Sequence, residues 1–192
     1  MHELFFERIR ASIPLSSEQE GIIRKYLRAK KLRKRQYLLQ EGDVSDVVAL
    51  VEKGALRAYT IDEKGVEHVL RFALEGAFIG DLSSFLNGRP STYHIDALED
   101  SELLLVSRSA YDEICLRIPE FNSFTLAEMT AIYLMMQERI NAILSLSVEE
   151  RYSKFQMSFP DLVQRIPQHM IASYMGLTPE TVSRIRGRIR EK

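Results

Sequence analysis

Between residues 42 and 107 the chain alternates short apolar runs with polar turns. Five glycines recur here every 11 or 12 residues, and Asp62–Gly65 has the composition of a hairpin turn. Short strands bounded by turns at this spacing predict an antiparallel sandwich or roll. The glycines are Gly42, Gly54, Gly65, Gly76 and Gly88. The predicted strands are Val47–Val51, Ala55–Ile61, His68–Leu74, Tyr93–Leu98 and Glu102–Ser107.

Helical spacing replaces this alternation on both sides of the strands. Ser16 begins a capping-box pattern ahead of an apolar helical face, and Arg108–Ile118 predicts a helix that ends at Pro119. Residues 120–145 contain neither Gly nor Pro, and their apolar side chains recur at alternating spacings of three and four. This heptad stripe, called the seam below, suits a contact between two copies of the helix, or a helix lying on its own domain. The seam is Leu126, Met129, Tyr133, Met136, Ile140 and Ile143.

The last 30 residues predict two short helices joined by a tight turn. Gln168–Met175 forms the first helix, and Gly176 is placed to adopt the left-handed conformation after it. Thr178 and Pro179 are the preferred cap and first residue of a second helix. A small apolar core fits between the helices, so the segment has the layout of a helix-turn-helix. That core is Ile171, Ala172, Met175, Leu177, Val182 and Ile185.

Charge and composition narrow the class of protein. The net charge of −1 conceals a C-terminal segment, residues 165–192, in which six basic residues outnumber two acids; such a segment suits a polyanionic partner. Apolar residues make up 45% of the chain, which excludes general disorder. The single Cys115 excludes internal disulfides and cysteine-ligated clusters. With no long apolar run and no signal-peptide pattern, we expect a soluble cytoplasmic protein without a membrane partner.

The second helix of this motif carries side chains suited to reading DNA. Arg184 can bond guanine through two hydrogen bonds, and the Glu180 carboxylate can accept from cytosine, although an acid at a helix N-terminus is also favoured by the helix dipole. Glu180, Ser183 and Arg184 are therefore the candidate base-contacting residues. The candidates for contact with the DNA backbone are Thr178, Thr181, Arg186, Arg188 and Arg190.

Three segments resemble the Crp–Fnr family of bacterial transcription regulators. They are PETVSRIR (Pro179–Arg186), similar to the recognition helix, SVEERYSKF (Ser147–Phe155), similar to the entry into the DNA-binding domain, and FIGDLSSFLNGRPSTYHI (Phe78–Ile95), similar to a phosphate-binding cassette. The resemblance implies an α+β fold with an antiparallel β-roll, a double-stranded β-helix like that of cyclic-nucleotide-binding domains, over residues 1–118. A dimerisation helix over 119–146 and a helix-turn-helix domain over 147–192, without a full C-terminal wing, complete the expected order. It also implies a homodimer that binds an inverted repeat in double-stranded DNA.

The cassette departs from that of cyclic-AMP receptors. Gly80-Asp81 replaces a glycine-glutamate pair, Ser91 stands where the phosphate-binding arginine is expected, and Met136-Gln137 replaces the adenine-contacting pair. Without a well-placed cation the phosphate loses its charge-assisted bonds, so we expect weak or absent binding of cyclic AMP, and we assign no cofactor and no metal. The candidate effector pocket is Gly80, Asp81, Leu82, Arg89, Ser91, Thr92 and Gln137.

Other functions remain open at this point. The chain could be a stand-alone nucleotide-sensing module that regulates a partner protein, although such a module has no need of the basic C-terminal helix. A cupin-type metal enzyme needs a His-x-His pair, and only His68 lies near Gly65. Haem ligation by His68, His94 or Cys115 is a further alternative. The basic cluster, Arg24–Arg35, holds eight Lys and Arg residues and no acid. It suits nucleic acid, RNA polymerase, or a solvated strand edge that discourages pairing.

Overall fold

A computed structural model describes residues 2–190, with side chains through Arg188. Its strands, numbered in chain order, form two antiparallel four-stranded sheets that enclose an apolar interior. The first sheet has the order β1 (Leu27–Leu32), β8 (Ser101–Ser107), β3 (Val47–Lys53) and β6 (Phe78–Ile79). The second has the order β2 (Tyr37–Leu39), β7 (His94–Ala97), β4 (Leu56–Ile61) and β5 (Glu67–Ala73).

The five predicted strands are present with ends displaced by no more than two residues, and β1, β2 and β6 are additional. The hairpin between β4 and β5 is closed as expected, because the Gly65 N–H donates to the Asp62 carbonyl at 2.9 Å. Gly65 has φ +78°, a conformation that costs a residue with a Cβ atom but not glycine. The sequence therefore sets the turn and, through it, the pairing of β4 with β5 next to the turn.

Helices flank the roll in the expected places. Ser16 and Gln19 form the predicted capping box at the start of the second helix. No helix among residues 2–190 is long and apolar enough to cross a membrane. The helices before and within the roll are α1 (Glu3–Arg10), α2 (Ser17–Arg24) and α3 (Leu82–Asn87). Those that follow are α4 (Arg108–Arg117), α5 (Phe121–Ser145), α6 (Val148–Ser158), α7 (Pro160–Arg165), α8 (Gln168–Tyr174) and α9 (Pro179–Arg190).

The C-terminal helices lie against β5, which is an edge strand of the second sheet. The Val69 N–H donates to the Ser173 hydroxyl, which in turn donates to the Glu67 carbonyl, both at 2.9 Å. Arg139 of α5 donates to the Leu70 carbonyl at 2.7 Å. Side chains from α5 and α8 thus satisfy backbone groups that an uncovered edge would leave to water or to another strand. Arg165 adds ion pairs to Glu75, at 2.8 Å, and to Glu99.

The strand β1 is an edge strand of the first sheet and carries three of the eight basic residues of the basic cluster. Four of its six residues are exposed, and Lys31 pairs with Glu102 of β8 at 2.9 Å. Lysine on an exposed edge opposes pairing with another chain. The structure therefore agrees with the solvated-edge interpretation of this segment and leaves a role toward RNA polymerase as a prediction.

Candidate functional site

The turn between α8 and α9 fixes the geometry of the helix-turn-helix. Gly176 has φ +67°, and the N–H groups of Gly176 and Leu177 donate to the carbonyls of Ser173 and Ala172 at 3.0 and 2.9 Å. These two bonds form the Schellman motif, which ends a helix in the left-handed conformation. The Thr178 hydroxyl then accepts the Thr181 N–H at 3.3 Å and so caps α9. Turn and cap both have the geometry predicted from the sequence.

One face of α9 is buried and the opposite face is free. Val182 and Ile185 are at most 1% exposed and pack into the predicted core with residues of α8. Glu180, Ser183 and Arg184 are exposed, and their spacing of three and four places them together on the outward face. The three candidate base-contacting residues therefore form one accessible surface on a helix that is held by its other side.

The candidate backbone contacts border this surface. Arg186 is half-buried and donates to the Gln168 side chain at 3.1 Å, whereas Arg188 is exposed and lies 3.2 Å from the Glu149 carboxylate. Thr178 and Thr181 are engaged with each other at the cap. Hydrogen bonds from the backbone and from the Thr178 hydroxyl lower the pKa of Glu180. Glu180 is thus stabilised as an anion at the helix N-terminus. The last of these candidates, Arg190, has its side chain outside the described residues.

The long helix α5 lies on the roll and also leaves most of the seam exposed. Phe121 and Phe124 anchor its first turns in the core, and Met129 is half-buried. The remaining seam residues stay between 46% and 66% exposed: Leu126, Tyr133, Met136, Ile140 and Ile143. One face of the helix therefore lies on its own domain, and the seam remains uncovered in the single chain, so a contact between two copies stays a prediction.

A cavity of about 380 Å³ lies between the roll and α5. Its wall is mainly aromatic and aliphatic, and Gly80 and Leu82 of the predicted effector pocket contribute to it. Met129 and Met136 of the seam close the side formed by α5. The polar side chains of the wall are Arg71, Tyr93, Tyr111, Thr125, Glu128, Arg139 and Tyr174.

The other five members of the predicted effector pocket do not line this cavity: Asp81, Arg89, Ser91, Thr92 and Gln137. The Asp81 carboxylate accepts the Ser84 N–H at 3.0 Å and caps α3, so it faces its own helix. The Ser91 hydroxyl donates to the Tyr93 carbonyl at 2.9 Å. Arg89 is exposed, because it follows the left-handed Gly88 that ends α3 and turns the chain toward solvent. The effector role of these five residues stays a prediction, and it does not concern the wall of this cavity.

Arg71 is the cavity residue that the sequence analysis did not single out. It pairs with Ala58 of β4 and lies two residues before Ala73, and both alanines are buried in the apolar interior, so Arg71 occupies the inner face of the strand. Its Nε is buried and has no hydrogen-bond partner, and burial lowers the pKa of the guanidinium. An arginine within an apolar alternation was the available signal.

Across residues 2–190 the structure contains no group of His, Cys, Asp or Glu side chains placed to hold a metal ion.

Comparisons with known proteins agree with this architecture. Residues 29–117 match the family model described as "Cyclic nucleotide-binding domain". The chain is 27% identical over 175 residues to the "Anaerobic regulatory protein" of Haemophilus influenzae, covering 85% of this chain and 67% of that protein. It is 27% identical over 175 residues to the "Fumarate and nitrate reduction regulatory protein" of Vibrio cholerae, covering 85% and 69%. The chain is similar to transcription regulators of the Crp/Fnr type over most of its length.

Solved Crp/Fnr-type structures share the fold. FixK2 from Bradyrhizobium japonicum superposes with a TM-score of 0.76 at 20% identity, covering 86% of this chain and 85% of that one. The catabolite activator protein of Thermus thermophilus gives 0.57 at 24% identity, covering 92% and 84%. The predicted β-roll, long helix and helix-turn-helix are thereby confirmed. The chain spans about two thirds of the length of the two curated relatives named above.

Proposed function

We propose that this chain is a Crp/Fnr-type regulator that binds double-stranded DNA as a homodimer, with α9 of each copy in the major groove of an inverted-repeat site. The observation that carries the proposal is the outward face of α9, where Glu180, Ser183 and Arg184 are exposed while Val182 and Ile185 hold the helix from behind. A major groove admits an α-helix, and arginine discriminates guanine by two parallel hydrogen bonds. The same face would read each half-site.

The exposed seam supplies the proposed dimer contact. Two copies of α5 that meet along the seam would cover an apolar stripe that no other part of the described chain covers. A two-fold axis through this contact would place the two α9 helices in successive major grooves, about 34 Å or one helical turn apart. The proposal includes the division of the chain into a β-roll domain (1–118), a dimerisation helix (119–146) and a helix-turn-helix domain (147–192).

Phosphate contacts are assigned to side chains around the reading surface. Arg188 is the most accessible of the described candidates, and a DNA phosphate would compete with Glu149 for its guanidinium. Arg186 is held by Gln168, which orients it before DNA arrives. Thr178, Thr181 and Arg190 complete the proposed set of backbone contacts.

Selection of binding sites from random DNA tests the proposal. Arg184→Ala should weaken binding by about 1–3 kcal/mol per half-site and relax the base preference at one position of each half-site. Arg188→Ala is the matched variant, since it should weaken all sequences alike and reduce the salt dependence by about one unit per subunit. An unaltered preferred motif with Arg184→Ala would overturn the role of that residue. Absence of sequence preference in the parent protein would overturn the proposal itself.

A further inference from the structure

The cavity between the roll and α5 carries an uncompensated positive charge. Two of its wall residues are cations, Arg71 and Arg139, and neither has a carboxylate partner among the described residues. Arg139 is occupied, because it donates to the backbone carbonyls of Leu70 and Tyr174. The one wall carboxylate, Glu128, attracts Arg71, but its charge is already neutralised by Arg8 of α1, which contacts it at 2.7 and 2.8 Å. The charge that faces the space unbalanced is therefore that of Arg71.

The position of Arg71 is costly unless an anion reaches it. A guanidinium stays protonated in proteins, and a buried donor without a partner loses the hydrogen bonds that water would give it. The Nε of Arg71 is in that state. Tyr93, beside it in the wall, already donates its hydroxyl to the Gly80 carbonyl at 3.1 Å. The donors of the planar guanidinium match the two oxygens of a carboxylate.

The rest of the wall is apolar. Phenylalanine side chains from α1, β6, α3 and α5 surround the space, together with methionines of α5. A volume of about 380 Å³ holds a molecule of about a dozen heavy atoms, at roughly 30 Å³ for each water-sized group. A ribose and a base would need several polar partners, and the carboxylate of Asp81 is already engaged in capping α3.

We propose that this cavity binds an amphipathic monocarboxylate, with its carboxylate on Arg71 and its hydrocarbon body among the phenylalanine and methionine side chains. The inference concerns the cavity and goes beyond the proposed DNA binding. It assigns the role of anion-binding residue to Arg71 on β5, which lies outside the cassette that contains Arg89.

Calorimetric titration of the full chain with decanoate tests the inference, with decan-1-ol and cyclic AMP as companion probes, all below micelle-forming concentrations. Decanoate should bind, decan-1-ol should bind at least tenfold more weakly, and cyclic AMP should bind more weakly than decanoate. Arg71→Met keeps an unbranched side chain as far as the Nε position and removes the charge, so it should weaken decanoate binding by tenfold to a hundredfold and leave decan-1-ol unchanged. Arg89→Met removes an exposed cation outside the cavity and should bind decanoate like the parent.

Three results would overturn the inference: no binding of decanoate, equal binding of the acid and the alcohol, or equal binding of decanoate by the parent and Arg71→Met. Circular dichroism of Arg71→Met establishes whether it is folded, and the comparison of acid with alcohol on the parent protein stands without that variant. Arg71→Lys keeps the charge without the planar fork and should give an intermediate affinity. DNA binding is measured separately without ligand, so a failure of the DNA proposal leaves these titrations interpretable.

Discussion

Replacing Ile140 by alanine tests whether the seam joins two copies of the chain. Ile140 is the fourth of the five exposed residues of the seam, and 56% of its surface is accessible in the single chain. The change removes three carbons, each worth about 0.8 kcal/mol when fully buried. Dimer formation would account for about half of that burial, or about 1.3 kcal/mol for each copy. A two-fold interface contains the residue twice, so the dimer should lose about 2.6 kcal/mol, which corresponds to roughly an 80-fold weaker association.

Sedimentation equilibrium of the purified chain measures this dissociation constant directly. Leu116→Ala is the matched control, because Leu116 of α4 is 76% exposed and lies off the seam. It should leave the dissociation constant unchanged within twofold. If Ile140→Ala also changes it by less than twofold, or if the parent chain is a monomer at all accessible concentrations, the assignment of the seam as the dimer contact is refuted.

Two further predictions concern the stability of the DNA-binding segment and its contact with the roll. Gly176→Ala should lower the free energy of unfolding, measured in urea, by about 1–2 kcal/mol, because φ is +67° at this position. Gly187→Ala, at an open position within α9, should raise it by about 0.5–1 kcal/mol. Equal effects of the two substitutions would contradict the turn geometry. The Arg165 guanidinium lowers the pKa of Glu75 to about 2, so this stabilisation is complete above the ordinary value of 4.5 and is lost as the pH falls toward 2. Glu75→Gln should therefore cost about 0.5–1 kcal/mol at pH 7, a figure limited by the exposure of the pair, and nothing near pH 2; a cost independent of pH would exclude the ion pair as its cause.

Local chemistry explains which elements were predictable from the sequence. Gly65 and Gly176 adopt the left-handed conformation that their positions required, and the Thr178 cap uses a hydrogen bond internal to its own segment. Such features depend on neighbours within a few residues. The strand β1 was missed because its sequence, LRAKKL, lacks apolar alternation. It is a strand because its backbone pairs with β8, a contact that only the folded chain provides.

The cavity could be predicted less well than the helix-turn-helix for a related reason. Counting along the cassette places Ser91 where a phosphate-binding arginine is expected, and the nearby Arg89 is exposed beyond the left-handed end of α3. Asp81 is drawn to the N-terminus of the same helix, where its carboxylate accepts the Ser84 N–H. Arg71 reaches the cavity from β5, seven residues before the cassette begins at Phe78. The register of the hairpin shifts between Val69 and Arg71, and the pairing of Arg71 with the buried Ala58 determines its face, which the sequence pattern does not show.

The strand β5 connects the two proposed functions physically. Its inner face presents Arg71 to the cavity, and the backbone of the same stretch is held by Ser173 of α8 and by Arg139 of α5. Arg139 also donates to the Tyr174 carbonyl, so one side chain contacts the strand, the cavity wall and the helix-turn-helix. A ligand shifts an equilibrium only by its difference in affinity for the two states. A carboxylate on Arg71 therefore alters DNA binding only if its affinity differs between the protein with α8 docked on β5 and the protein with α8 released. Titrations of decanoate with and without DNA, and of DNA with and without decanoate, measure that difference.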